Sequence, residues 1–366
     1  APTYQPGYLT LAGLYLWEGN KEEAEKGLKK AVEASINDVV PMIALANFYA
    51  QERRYEDAER AFLSASETDP TSVFSRLQFA RFLRRTNQLD RALSQYQRAL
   101  EIDPQNVEAL RDCTAVYIAM NRIDRAKEHL RELLKKAPGA PLPMYQRAVI
   151  NLFGGKTKEA LKDLRVVTKK KPELASAHYL LGLAYTMEND LQSARTSLKQ
   201  ALRLQPTFAR AHLLLSEIEF ALGDHKEAIK NAEKVAQAQA NNLYANLLLG
   251  RLYLAEKDTE KAEQYFAKSA ELDDRSVFSR LILGEIYEGK FQYDKALEMF
   301  VEVVKAKPDF APVYYHLGLL YRRMNEPQKA IEEYKKALER EESFLAAINN
   351  LAYMYAEYGE DPEVLD

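Results

Sequence analysis

The chain has 366 residues, more than one compact core usually holds, and 47% of them are hydrophobic. Its 51 basic and 54 acidic side chains leave a net charge of −3, which gives no support to general nucleic-acid binding. No apolar run approaches the roughly 18 residues that a membrane-spanning helix needs, and the single cysteine, Cys113, excludes an intrachain disulfide and a thiolate metal cluster.

A fixed period of 34 residues runs through the sequence. It is marked by ten alanines, namely Ala24, Ala58, Ala92, Ala126, Ala160, Ala194, Ala228, Ala262, Ala296 and Ala330. Twelve residues before each lies another small side chain, in Ala12, Ala46, Ala80, Thr114, Ala148, Gly182, Ser216, Gly250, Gly284 and Gly318, and Ala352 continues this row. A regular period of this length indicates a repeat architecture in which each unit packs on its neighbours.

Each period is expected to form two helices joined by a turn. Seven periods place glycine or asparagine between the two rows of small residues, at Gly19, Asn87, Asn121, Gly155, Asn189, Gly223 and Asn325. These residues tolerate the left-handed backbone conformation that ends a helix. Large apolar side chains follow the small ones at spacings of three and four residues, which are helical spacings. The small residues should therefore lie where two helices cross closely.

The sequence also marks the ends of the helices. Proline follows the second helix in register, at Pro70, Pro104, Pro138, Pro172, Pro206 and Pro308. Proline lacks the amide proton that a helix interior needs, so it should stop the helix there. Ser72, Asn106, Asn242 and Ser276 stand where the next helix favours an N-cap.

This pattern resembles the tetratricopeptide repeat family. The stretch from Leu45 to Pro70 carries the family signature in Leu45, Ala46, Tyr49, Ala58, Phe62, Ala65 and Pro70. The resemblance implies an all-α solenoid, a right-handed superhelix of stacked antiparallel helix pairs. It places a lead in residues 1–4, ten repeats in 5–344 and a partial eleventh repeat in 345–366. Because no polar capping element is visible after these, we expect the natural chain to continue beyond Asp366.

Repeats one and three carry the first residues of interest in chain order. Trp17, the only tryptophan, is expected to cover the open end of the array, with a partner anchor as the alternative. Under the family's geometry, the first helix of repeat three presents five side chains on or near the concave groove: Phe74, Leu77, Arg81, Arg84 and Arg85. The arginines form either a patch for an anion or an acidic peptide or a solvated charged face.

The same geometry assigns further side chains to the groove, namely Arg111, Tyr145, Tyr179, Tyr244, Arg251, Phe278, Tyr315 and Arg322. Some family members grip the end of a peptide with groove lysines and asparagines, a carboxylate clamp. Here only Asn47, Asn349 and Asn350 match that clamp, and its key lysine is missing. The groove is apolar and aromatic with arginines, which suits an extended peptide or a partner helix.

Repeats five and seven depart from the pattern. Arg147 and Asn151 replace the expected leucine and tyrosine in repeat five, and Glu219 replaces tyrosine in repeat seven. We expect looser packing at both places, with a hinge or a change of curvature at repeat five. His178 and His212 stand one period apart, but the rest of a metal-ligand set is missing.

The sequence contains no nucleophile motif, phosphate-cradling glycine loop or paired-carboxylate arrangement, so we expect neither catalysis nor a metal or cofactor. The prediction is a scaffold that binds a protein or peptide, without nucleic acid. One alternative is a bacterial envelope assembly such as exopolysaccharide export, because Asn349–Tyr353 with Tyr355 and Gly359 resembles a segment of long envelope proteins of this family. That resemblance favours a periplasmic or envelope-associated location over the cytoplasm. The other alternative is self-association into a homo-oligomer.

Overall fold

The structure is a computed structural model that describes residues 5–35, 37–273 and 276–358. The expected lead in residues 1–4 lies outside the described residues, and so does the end of the partial eleventh repeat, including Gly359 and Asp366. The described part of the chain is built from helices and contains no strand. This confirms the prediction of an all-α fold made of paired helices.

The first helix of each pair has 13 residues. These helices are α1 (Gln5–Trp17), α3 (Val39–Gln51), α5 (Val73–Arg85), α7 (Val107–Ala119), α9 (Pro141–Phe153), α11 (Ala175–Met187), α13 (Ala209–Ala221), α15 (Leu243–Ala255), α17 (Val277–Gly289) and α19 (Ala311–Arg323). Each of them begins 34 residues after the previous one.

The second helix of each pair follows after a three-residue turn. These helices are α2 (Lys21–Glu33), α4 (Tyr55–Thr68), α6 (Leu89–Ile102), α8 (Ile123–Lys136), α10 (Thr157–Lys170), α12 (Leu191–Leu204), α14 (His225–Ala238), α16 (Thr259–Leu272), α18 (Tyr293–Ala306) and α20 (Pro327–Arg340). The helix α21 (Leu345–Tyr358) follows the tenth pair.

The chain divides into two compact units, Ala1–Leu180 and Leu181–Asp366, and the division falls within α11. In the N-terminal unit, a continuous apolar core runs from Ala12 to Ile150 through repeats one to five. In the C-terminal unit, apolar clusters follow one another along the helix pairs, the first of them centred on Leu249 and Phe266. Each unit therefore buries its apolar side chains between neighbouring helices.

The turns inside the pairs adopt the left-handed backbone that the sequence predicts. All seven of the glycine and asparagine positions have positive φ angles, between 56° and 82°. The other three pairs make the same turn with residues that pay a steric cost there: Arg53, Lys257 and Phe291, with φ near 60°. Phe291 combines this strain with a side chain that is 73% exposed. The geometry of the pair, and not the residue, thus sets the turn.

All four predicted N-cap residues occupy that position, and three of them also make a capping hydrogen bond. The side chains of Ser72, Asn106 and Asn242 accept hydrogen bonds from backbone amides in the first turn of α5, α7 and α15. Ser276 occupies the N-cap of α17 but makes no such bond. Its hydroxyl instead donates to the Ser279 hydroxyl at 3.0 Å.

The small residues on the first helices face large side chains on the second helices of the same pairs. Gly284 shows how close the contact is, because a Cβ atom built there would lie 2.3 Å from the ring of Phe300. Gly318 and Tyr334 repeat the arrangement at 2.4 Å. Phe300 and Tyr334 are fully buried. In these two pairs a ring therefore fills the space that the missing side chain leaves.

We expect Gly284→Ala to lower the free energy of unfolding by about 1–3 kcal/mol, because the added methyl group overpacks the contact with Phe300. The matched control is Gly289→Ala in the same helix, where nothing lies within 4 Å of the added Cβ. That change should leave stability unaltered or raise it by up to about 1 kcal/mol. Denaturant unfolding followed by circular dichroism measures both; equal stability of the two variants would contradict this packing.

We expect Phe291→Asn to raise the free energy of unfolding by about 1 kcal/mol, because asparagine enters the left-handed region at a lower steric cost than phenylalanine. The substitution also removes the exposed ring of Phe291, and with it an edge contact with Tyr293 whose ring centroids lie 6.3 Å apart. Thermal unfolding of the two proteins tests the expectation. A variant that melts at a lower temperature than the parent would show that the ring contributes more than the strain costs.

Candidate functional site

The arginines predicted on the groove of the N-terminal unit differ in their surroundings. Arg81 donates to Glu108 at 2.6 Å and to Asp112 at 2.8 Å, and Arg111 donates to the same Asp112 at 2.7 Å. Asp112 is buried. Arg81 of α5 is thus joined to the next repeat through Asp112, which also pairs with Arg111. The carboxylates of Asp112 and Glu108 compensate the charges of both arginines.

Two other residues of this cluster are exposed cations, while a third is part of the core. Arg84 and Arg85 are exposed and form no ion pair with another described residue. Phe74 is also about half exposed. Leu77 is only 4% exposed, which corrects the expectation that it lines the groove surface: it packs in the core of the N-terminal unit. Tyr145 and Tyr179 are half-buried.

Three predicted residues meet in one concavity of the C-terminal unit. Tyr244 and Arg251 of α15 and Phe278 of α17 line a space of about 430 Å³, together with Leu247 and Leu248. Tyr244 is 46% exposed and Phe278 is 47% exposed. The concavity therefore offers two aromatic rings, an aliphatic floor and a guanidinium to solvent.

Hydrogen bonds and packing hold the two rings of this concavity in place. The Tyr244 hydroxyl donates to the carboxylate of Glu217 on α13. Burial and this hydrogen bond raise the pKa of Tyr244 to about 12, so the phenol stays neutral at physiological pH. Phe278 packs edge-on against the buried ring of Phe266, with centroids 6.1 Å apart. Arg251 is exposed and forms no ion pair with another described residue, so its guanidinium is available to a ligand.

A second group of predicted residues meets near the end of the C-terminal unit. The amide of Asn350 donates to the Tyr315 hydroxyl at 3.2 Å and accepts from Arg322 at 3.4 Å. The guanidinium of Arg322 also lies 5.7 Å from the ring centre of Tyr353, which is exposed. Tyr315, Arg322 and Asn350 therefore form one polar network beside an exposed tyrosine.

The structure exposes two apolar residues that the sequence analysis did not single out, Val40 and Leu142. The second residue of a first helix is an exposed apolar side chain in five repeats: Val40, Phe74, Leu142, Tyr244 and Phe278. Neither Val40 nor Leu142 is distinctive as a single residue. Their signal is the period itself, since they occupy the same place as Phe74 and Phe278.

The two histidines that stand one period apart have a structural role. His178 and His212 contact the carbonyl oxygens of Pro172 and Pro206 at 3.0 and 2.9 Å. In repeat ten, Tyr314 at the same place donates to the carbonyl of Pro308 at 2.7 Å. Within the described ranges, no three histidine, cysteine, aspartate or glutamate side chains are placed to hold a metal ion.

The departures in repeats five and seven create ion pairs inside the fold. Arg147 makes two hydrogen bonds of 2.7 Å with Asp163 of its own repeat. Glu219 is fully buried and pairs with Lys199 at 2.9 Å and Arg195 at 3.5 Å. The polar residue of repeat seven therefore links α13 to α12, which corrects the expectation of a loosely packed place there.

Trp17 does not cover an apolar surface, contrary to expectation, because its side chain is 85% exposed. Leu14, one turn earlier on α1, is also exposed. Across the described residues, no helix combines the length and hydropathy that crossing a membrane requires.

Three family models match the chain. The model described as "Tetratricopeptide repeat protein 21 second ARM domain" matches residues 5–223, more than half of the sequence. "Anaphase-promoting complex, cyclosome, subunit 3" matches residues 223–303, and "Tetratricopeptide repeat" matches residues 311–344. No curated protein is significantly similar to the chain.

Solved structures share the fold at low sequence identity. An IFIT1 mutant with Gppp-AAAA is 16% identical, with a TM-score of 0.53, and the match covers 93% of this chain and 91% of that one. The Cut9–Hcn1 hetero-tetramer of the APC/C is 16% identical, with a TM-score of 0.51, covering 95% and 75%. A tetratricopeptide repeat protein from Parabacteroides merdae is 17% identical, with a TM-score of 0.50, covering 68% and 97%.

We expect Asp112→Asn to lower the free energy of unfolding by about 1–3 kcal/mol at neutral pH, because it leaves Arg81 and Arg111 without their shared carboxylate. Burial raises the pKa of Asp112, but the hydrogen bonds from Arg111 and Arg81 outweigh it, so the pKa is lowered overall. The stabilisation is therefore present above about pH 4 and is lost as the pH falls through the lowered pKa.

Denaturant unfolding at a series of pH values checks this expectation. The control is Asp90→Asn, which removes a surface pair with Arg122 at 3.1 Å whose aspartate side chain is 78% exposed, so its loss should have no measurable effect. A difference between the parent and Asp112→Asn that persists unchanged at pH 2 would show that the carboxylate charge is not its source.

Proposed function

Because the chain belongs to the tetratricopeptide repeat family, we propose that it is a non-catalytic scaffold whose C-terminal unit binds an extended segment of a partner protein. The fold is commonly used for protein interaction. The single observation that carries the proposal is the concavity formed by Tyr244, Leu247, Leu248, Arg251 and Phe278.

The side chains of this concavity define the kind of segment that fits. Tyr244 and Phe278 present half-exposed rings from two neighbouring first helices, with Leu247 and Leu248 between them. An apolar side chain placed against these rings removes apolar surface from water on both partners. Aromatic residues in such a pocket are the usual centres of binding energy. The proposed ligand therefore carries at least one aromatic or branched apolar side chain.

Arg251 adds a requirement for negative charge. Its guanidinium lines the same concavity and has no carboxylate partner among the described residues. A guanidinium binds a carboxylate through two parallel hydrogen bonds, and such a pair gains strength when water is excluded. We therefore propose that a carboxylate follows or precedes the apolar side chain in the bound segment. The hydroxyl of Tyr244 already donates to Glu217, so Tyr244 would contact the ligand through the face of its ring.

The network of Tyr315, Arg322 and Asn350 supports a second contact region in the same unit. Arg322 and Tyr353 are exposed beside it. Asn350 belongs to the segment that suggested an envelope assembly, and it forms hydrogen bonds with Tyr315 and Arg322. A role in an envelope assembly would be one use of this same binding surface.

Random peptides of about twelve residues, displayed on phage and selected with the full chain, test the proposal. We expect the selected peptides to share an apolar side chain next to an acidic one. In fluorescence polarisation, the double variant Tyr244→Ala and Phe278→Ala should bind them roughly a hundredfold more weakly, about tenfold for each ring.

Two controls accompany this measurement. Phe291→Ala removes an exposed ring of the same unit that does not line the concavity, and it should leave the affinity unchanged. Both changed rings of the double variant are about half exposed, so its thermal unfolding should remain close to that of the parent. Equal affinity of the parent and a folded double variant would overturn the proposal.

A further inference from the structure

A basic cavity lies in the N-terminal unit, at the boundary between repeats four and five. The second helix of repeat four, α8, and the first helix of repeat five, α9, line an open cavity of about 490 Å³ together with Lys156. Leu130, Leu134 and Ile150 form its apolar part. Lysines, arginines and Asn151 line the remainder, and no carboxylate is among the lining residues.

Several other boundaries between repeats contain a tyrosine at this place, and its hydroxyl is hydrogen-bonded to the preceding helix. Tyr49 donates to Glu25 at 3.1 Å, and Tyr253 donates to Glu233 at 2.6 Å. Tyr117 accepts from Gln97 at 3.2 Å. These tyrosines are the eleventh residues of their helices. At these boundaries the large side chain and its acidic or amide partner occupy the space between the helices.

The boundary between repeats four and five lacks both members of that pair. Asn151 occupies the tyrosine position of α9. One period after Gln97 stands Arg131, and three periods after Glu25 stands Lys127. Asn151 makes no side-chain hydrogen bond to another described residue. The boundary therefore has room and a surplus of positive charge where several others have a tyrosine hydrogen-bonded to an acidic or amide side chain.

Only part of this positive charge is compensated within the fold. Arg147 is paired with Asp163, Lys135 with Glu132 at 2.9 Å, and Lys127 lies 3.7 Å from Asp124. Arg131 and Lys156 line the cavity and form no ion pair with another described residue.

The surrounding sequence extends this surplus beyond the cavity. Residues 122–171 contain 14 lysines and arginines against five aspartates and glutamates, in a chain whose net charge is −3. The cavity therefore lies in a basic region of an acidic protein, which should attract anionic ligands.

We propose that this boundary binds an acidic peptide segment of a partner protein, in which aspartates or glutamates flank one aliphatic side chain. The carboxylates would pair with Arg131 and Lys156, and the aliphatic side chain would contact Leu130, Leu134 and Ile150. A single-stranded nucleic acid fits less well, because no aromatic side chain lines the cavity to stack on bases. The site is separate from the concavity of Tyr244 and Phe278, and its test is independent of the function proposed above.

The test measures binding of a fluorescent peptide of about ten residues, rich in glutamate and aspartate with one central leucine, to the full chain. The double variant Arg131→Glu and Lys156→Glu should bind at least about tenfold more weakly, because attraction becomes repulsion. Asn151→Tyr restores the tyrosine of the other boundaries and should weaken binding by filling the cavity. Binding should also weaken as the salt concentration rises.

The matched control is the double variant Lys158→Glu and Lys162→Glu, which changes the net charge by the same amount on exposed residues outside the cavity. It should retain most of the affinity, and so should the variant Tyr244→Ala with Phe278→Ala. Circular dichroism establishes that each variant is folded, and the charge reversal keeps the test decisive if Asn151→Tyr is unstable.

Three results would overturn the proposal. The first is that the acidic peptide does not bind, and the second is that both charge reversals weaken binding equally. The third is that Asn151→Tyr and the double variant Arg131→Glu and Lys156→Glu are both folded and both bind like the parent. Single-stranded oligothymidylate is measured alongside the peptide. If it binds more tightly than the acidic peptide and loses affinity in the same variants, the site is a nucleic-acid surface and the peptide assignment is wrong.

Discussion

The fold depends on one contact that recurs inside the helix pairs: a side chain on the second helix fills the space above a small residue on the first. Where the small residue is glycine, the opposing group is a leucine or an aromatic ring, as with Gly182 and Leu198 or Gly250 and Phe266. In repeat seven the large side chain is replaced by Ala232, and the small residue is Ser216, whose hydroxyl donates to the carbonyl of Ala228 at 2.7 Å. The pair remains closed by a hydrogen bond instead of a ring.

Because this contact lies within a pair, the surfaces between pairs are free to vary in chemistry. Some boundaries use a tyrosine with an acidic or amide partner, one uses the buried Glu219 with two cations, and one leaves a basic cavity at Asn151. The fourth residue of the first helix shows the same freedom. Histidine at 178 and 212, tyrosine at 314 and asparagine at 246 all contact a carbonyl in the preceding loop. Chemical diversity at these places does not alter the frame that presents the proposed binding surfaces.

The sequence was sufficient to predict the fold because its main determinants are local and periodic. Helix ends, left-handed turns and close crossings each depend on one residue type at one place in the period, as Asn87 and Gly284 illustrate. The candidate sites were harder to predict because exposure depends on neighbours from other repeats. Leu77 and Arg81 lie on one helix, yet the first is packed in the core and the second is paired with Asp112 of the next repeat. The residue types at 77 and 81 alone do not reveal that Leu77 is buried or that Arg81 pairs with Asp112.

The closure of each pair by its own residues also bears on how such a chain can change over time. A 34-residue block carries both halves of its internal contact, so copying or exchanging a whole block preserves that contact. The segment Val73–Leu77 recurs unchanged as Val277–Leu281, six periods later, with Phe74 and Phe278 both exposed. Duplication of a whole repeat can thus move an exposed residue to a new position along the array while the contact inside the helix pair is preserved.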